Sequence, residues 1–99
     1  LTAKVIEEEI GLGELVTLLK LNRGEAALVE LFLPETSPCR GKAIRDLNLP
    51  ADTVIASVIR GGKLLVPRGD TRLESGDEIL AISTVAAEQA LKNILVGPA

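Results

Sequence analysis

GKAIRDLNLPADTVIASVIRGGKLLVPRGDTRLESGDEILAI, residues 41–82, decides the fold. KAIRDL is long enough for little more than one helical turn, with Ile44 and Leu47 on one side, and Leu49-Pro50 closes it. VIASVIR, residues 54–60, carries apolar side chains on both faces, which predicts a buried strand. Gly61-Gly62 can adopt the positive φ angles of a tight hairpin turn, so KLLVP returns antiparallel until Pro67 withholds a backbone donor. Gly69-Asp70 and Gly76-Asp77 are further corners, and EILAIS, residues 78–83, is another strand. Turn-specific residues in this order predict a small β-rich unit.

Toward the C-terminus, Thr84 is placed to cap a last helix whose apolar stripe is Ala87, Ala90, Leu91, Ile94 and Leu95, with Glu88 and Lys92 as an i,i+4 pair. Gly97-Pro98 ends it. Toward the N-terminus, PETSPCRG, residues 34–41, is a loop, because two prolines and a glycine deny regular hydrogen bonding. ELVTLLKL, residues 14–21, is short enough to be ambiguous, but Val16, Thr17 and the following Asn22-Arg23-Gly24-Glu25 favour a strand. ALVELFL, residues 27–33, is then its hairpin partner. Thr2 to Ile10 has a helical pattern, with Val5, Ile6 and Ile10 on one side and Glu7-Glu8-Glu9 on a solvated face. The expected class is α+β: a small antiparallel sheet or partly rolled barrel of β-hairpins, capped by a C-terminal helix.

Composition narrows the function. The 99 residues are one domain's worth of chain, 46% hydrophobic, with Phe32 as the only aromatic, so the core is aliphatic. A net charge of −3 and the lack of a basic run or stacking aromatics argue against nucleic acid. No apolar run approaches the roughly 20 residues of a membrane span, and LTAKVIEEEI lacks the features of a signal peptide. A lone cysteine, Cys39, excludes an internal disulfide and suits a reducing cytosol. With no methionine, Leu1 is not an initiator, and the sequence reads as a piece of a longer protein or a processed chain.

The pattern GK-x-I-x-DL-x-LP, then V-I-x-x-x-I-R-x-G, then VP-x-GDT-x-L-x-x-GD-x-x-L resembles the C-terminal RCK (TrkA-C) domain of potassium-transport regulatory proteins, over roughly residues 24–95. The resemblance implies the same helix-covered sheet. It makes residues 24–99 the regulatory domain, and residues 1–23 a linker and terminal helix from a preceding domain. In the family that neighbour is a nucleotide-binding Rossmann domain, so NAD or ATP would bind there; its glycine-rich fingerprint is absent from this chain, which has no cofactor of its own. The implied function is cytosolic ligand sensing and dimerisation, peripheral to the inner face of a membrane through a potassium transporter or channel. Some members bind cyclic di-adenosine monophosphate through an Asp-x-Arg pair and an Asn; those places hold Asn48, Pro50 and Thr53 here, so the bidentate arginine is missing.

The residues themselves offer little catalytic chemistry. Without histidine, Ser-His-Asp and Cys-His sites cannot be assembled within the chain, and it reads as a non-enzyme. Cys39 beside Arg40 could be an activated thiol, or an incidental loop residue. Asp70, Asp77 and Glu78 could bind a divalent cation, but they lack the alternating spacing of an EF-hand, and turn capping explains the two aspartates. Arg68-Gly69-Asp70 spells an adhesion tripeptide whose Gly-Asp already belongs to a turn, and Gly61-Gly62-Lys63 lacks the frame of a P-loop. Lys63 follows a turn without a modification signature.

The candidate ligand-binding residues are Leu49, Thr53, Val54, Ile55 and Arg60. The segment before a buried strand offers free backbone N–H groups, and Arg60 brings charge to the strand's other end. A sheet with a single helix layer leaves an apolar face uncovered, which predicts a homodimer with the ligand, a small anion or nucleotide, in its cleft. An oligomerisation module without ligand, or an accessory β-roll of a larger enzyme or transporter, stays open beside this reading.

Overall fold

The computed structural model describes residues 11–97; the helical pattern of residues 2–10 and the Pro98 stop lie outside them. The strands are β1 (Val16–Leu21), β2 (Ala26–Phe32), β3 (Thr53–Arg60), β4 (Lys63–Leu65) and β5 (Glu78–Thr84), followed by the helix α1 (Glu88–Val96). They form one antiparallel sheet in the order β1-β2-β5-β3-β4. Both expected hairpins are present, and the last strand inserts between them. The sheet is open, with β1 and β4 at its edges.

Local chemistry accounts for the turns. Gly61 and Gly62 have φ of 57° and 79°, the pair of positive values that lets a two-residue loop follow the strand twist. Asn22, Arg23 and Gly24 join β1 to β2, also at positive φ. KAIRDL yields only a 3-10 turn, Ile44–Asp46, with Ile44 and Leu47 packed against the core. β4 ends at Leu65, before Pro67 is reached.

Alternation divides the sheet into two faces. Inward lie Ala27, Val29 and Leu31 of β2, Ile55 and Val58 of β3, and Ile79 and Ala81 of β5, closed over by Leu91 and Leu95 of α1 and by Leu33, Cys39 and Leu73 from the loops. Leu19, Leu28, Ile82 and Val54 occupy successive paired positions across β1, β2, β5 and β3 on the other face. VIASVIR is therefore not buried on both sides: Val54 is 55% exposed. A bulge between Ile55 and Ser57 keeps Ile55 and Val58 both facing inward although they are three residues apart.

The C-terminal helix differs in detail from its pattern. A 3-10 turn, Val85–Ala87, intervenes, and Thr84 makes no side-chain cap. The buried stripe is Leu91 and Leu95 with Ile94 partly covered, while Ala90 faces solvent. Among the described residues Glu88 and Lys92 form no ion pair; the i,i+4 contact is Gln89 Nε2 donating to Asn93 Oδ1 at 3.1 Å.

The loop after β2 is stapled to the end of α1. Ser37 Oγ donates to Leu95 O, accepts from Cys39 N–H at 3.0 Å, and Cys39 Sγ donates to Ile94 O at 3.0 Å. Burial pushes the Cys39 thiol above its ordinary pKa, outweighing Lys42 and the Ser37 hydrogen bond, so it is a packed thiol and not an activated one. The native thiol should react with iodoacetamide far more slowly than the thiol of the urea-unfolded chain. Because the folded pKa is raised, the thiol's contribution is complete below the unfolded value of about 8.5 and is lost as pH rises toward the folded one. Urea titrations should therefore show stability falling above that pH, and Cys39→Ala should remove this part of the decline.

Candidate functional site

The segment that enters β3 turns at Asp52, which adopts a φ of 64°. Leu49 packs against the core, and Ile55 is buried within it. Ser83 Oγ donates to Thr84 O at 2.9 Å, so across the 3.2 Å contact between Thr53 Oγ1 and Ser83 Oγ it is the threonine that donates. Val54 points outward, exposed. Leu49, Thr53, Val54 and Ile55 thus do cluster at the start of β3, but through different faces. Val54 offers its side chain to solvent, Thr53 a half-buried hydroxyl with lone pairs to spare, and Ile55 shows its side chain to the core alone.

Arg60 is elsewhere. Seven residues of strand separate it from Thr53, about 23 Å at 3.3 Å per residue, so one small ligand does not span both within a single chain. Its guanidinium is also engaged. Nε donates to Asp77 Oδ1 and Nη2 to Asp77 Oδ2, both at 2.9 Å. Nη2 also donates to Arg72 O at 2.8 Å, and Nη1 lies 3.2 Å from Glu74 Oε2. The hydrogen bond to Asp77 raises the arginine's already high pKa against the opposing effect of burial, with the charges of Asp77 and Glu74 adding to it.

Asp77 was legible as a turn residue, and it is one: Oδ2 accepts Glu74 N–H at 2.8 Å. Its fork with Arg60 was not legible, because it joins residues 17 apart through a hairpin whose register no local pattern reports. Among the described residues no group of histidine, cysteine, aspartate or glutamate is arranged to hold a metal ion, and no helix is long and apolar enough to cross a membrane.

The TrkA-C domain model matches residues 28–96, and the chain belongs to that family. It is 40% identical over 94 residues to the Trk system potassium uptake protein TrkA of Mycobacterium tuberculosis (strain CDC 1551 / Oshkosh), a match covering 95% of this chain and 43% of the relative. It is 38% identical over 89 residues to a Trk system potassium uptake protein TrkA homolog of Archaeoglobus fulgidus, covering 90% of this chain and 20% of that protein. The chain thus spans less than half the length of these relatives. A solved structure described as an RCK domain with cda superposes with a TM-score of 0.59 at 25% identity, covering 69% of this chain and 96% of that one. The fold expected from residues 41–82 is the family's, with the sheet open and not rolled shut.

Asp77 is only 1% exposed, whereas the Arg60 side chain is 33% exposed. Arg60→Met should therefore lower stability by about 2–3 kcal/mol, less than for a fully buried pair, because it strands a buried carboxylate. Urea midpoints check this, and the Arg60→Met/Asp77→Asn double variant should lose less than the two single losses added.

Proposed function

We propose that this chain is the cytosolic regulatory domain of a potassium uptake system or channel, in which it senses a ligand and dimerises. Membership in the TrkA-C family carries the reading. In it the chain is not an enzyme, it is held at the inner face of the membrane through its transporter partner, and NAD or ATP belongs to a preceding nucleotide-binding domain. The mechanism is population shift: a ligand that binds one arrangement of two protomers better than another pulls on the attached transporter.

The exposed aliphatic row of Leu19, Ile82 and Val54 supports a homodimer, since apolar side chains aligned across neighbouring strands gain by being covered together. Light scattering should give twice the chain's 10.4 kDa mass. Val54→Asp should yield a folded monomer, because a carboxylate on an exposed position harms the interface without entering the core. A monomeric parent at all practical concentrations overturns the dimer.

The ligand in this reading is a small anionic or nucleotide-like molecule held near Leu49, Thr53, Val54 and Ile55 at the dimer cleft, with Arg60 reached only from the second protomer or after leaving Asp77. A ligand that binds the folded form alone adds about 2.7 kcal/mol at one hundred times its Kd, so a thermal-shift screen of nucleotides, cyclic dinucleotides and divalent cations should reveal it. Cyclic di-adenosine monophosphate should give little shift, because Asn48 and Pro50 stand where the Asp-x-Arg pair would be. A screen without any shift favours the oligomerisation module.

A further inference from the structure

We propose that the cationic ribbon of residues 40–45 and 68–73, together with the exposed end of β4, docks on an anionic lipid bilayer. The two segments run antiparallel beside the sheet. Gly41 N–H donates to Leu73 O at 2.7 Å, Leu73 N–H to Lys42 O at 3.1 Å, Ile44 N–H to Thr71 O at 2.9 Å and Arg45 N–H to Gly69 O at 2.9 Å, around the Ala43–Arg72 bridge. Ala43 and Leu73 are buried beneath them. The ribbon is thus anchored by its short and apolar side chains, and the long polar ones face water.

Arg40, Lys42, Arg45, Arg68 and Arg72 are all exposed there. They are five of the eleven lysines and arginines in a chain whose net charge is −3, and none is in an ion pair among the described residues. Arg72 Nη1 donates to Gly41 O at 2.8 Å, which lays that guanidinium across the ribbon. The acidic residues interspersed are Asp46, Asp70 and Glu74, and Glu74 is already paired with Arg60. An acidic chain therefore gathers five of its eleven cations on one pair of adjoining segments, which favours one orientation of approach to a negative surface.

Two features select a bilayer as the occupant. The five cations are spread over residues 40–45 and 68–72 of two paired segments, so a single phosphate reaches only one or two of them, whereas a layer of headgroup phosphates meets several at once. Leu64 and Val66, 66% and 65% exposed, protrude from β4 and its exit just ahead of Arg68. Aliphatic side chains beside cations suit the boundary between headgroups and acyl chains, and an acidic peptide would leave them in water. The proposal takes from the proposed function only that a membrane is near.

Co-sedimentation of the purified chain with phosphatidylcholine vesicles, with and without phosphatidylglycerol, tests it without transporter or ligand, so its failure leaves the regulatory reading standing. Binding is expected only with phosphatidylglycerol and should weaken with salt. Arg45→Gln with Arg68→Gln should lower the partition roughly 25-fold, Leu64→Ser should lower it further, and Lys92→Gln should leave it unchanged, with circular dichroism melting confirming that each variant is folded. Equal binding to both vesicles, no binding to either, or equal binding by the double glutamine variant overturns the proposal. So does binding of soluble tripolyphosphate that depends on the ribbon while vesicles are ignored, which would make the ribbon a site for a dissolved polyanion.

Discussion

The buried carboxylate of Asp77 is the constraint around which the sheet is arranged. It sits where β5 begins, and it accepts the fork of Arg60 from the end of β3 and the Glu74 N–H from its own turn. Its backbone carbonyl accepts from Leu33 N–H at 2.9 Å, immediately beyond β2. Three stretches of chain distant in sequence therefore meet on one residue. A one-residue slip of β5 would strand this carboxylate without its donors and turn Ile79 and Ala81 out of the core, so both the polar and the apolar terms select the same register.

The placement of β5 between the hairpins also determines how the two faces of the sheet are used. Its inward side chains join the cores of β2 and β3 into one cluster, which α1 closes with Leu91 and Leu95. Its outward Ile82 completes the row from Leu19 to Val54. One face is thus spent on stability, and the other retains the apolar surface on which the proposed dimer rests. The ligand candidates at the start of β3 lie between these two roles: Ile55 belongs to the core, and Val54 to the open face.

Charge is distributed by a similar separation. Arg60 is withdrawn into the frame, where it neutralises Asp77 and steadies the ribbon through Arg72 O. The remaining cations of residues 40–45 and 68–72 are held at the surface by a backbone ladder, to which Arg72 alone among them adds a side-chain hydrogen bond, onto Gly41 O. The side chains of Arg40, Lys42, Arg45 and Arg68 make no hydrogen bond or ion pair among the described residues, the arrangement a surface needs if binding is to be tuned by salt or by membrane composition.

Local chemistry alone determined much of this protein. Gly61-Gly62, Gly76-Asp77 and the Leu49-Pro50 stop placed the second hairpin, the turn before β5 and the short 3-10 turn, because each depends on the φ range of a residue or the reach of one side chain. The pattern of residues 41–82 was also enough for the family. Alternation did not reveal that VIASVIR bulges and exposes Val54, since an inserted residue shifts the period without altering composition. Thr84 looked like a cap, and the chain instead took a 3-10 turn while α1 was positioned by Leu91 and Leu95 on the sheet. The strand order, the fork of Arg60 onto Asp77 and the pairing of the two cationic segments were settled by tertiary structure alone. Each joins residues far apart in sequence, and such pairings follow from how the whole core closes.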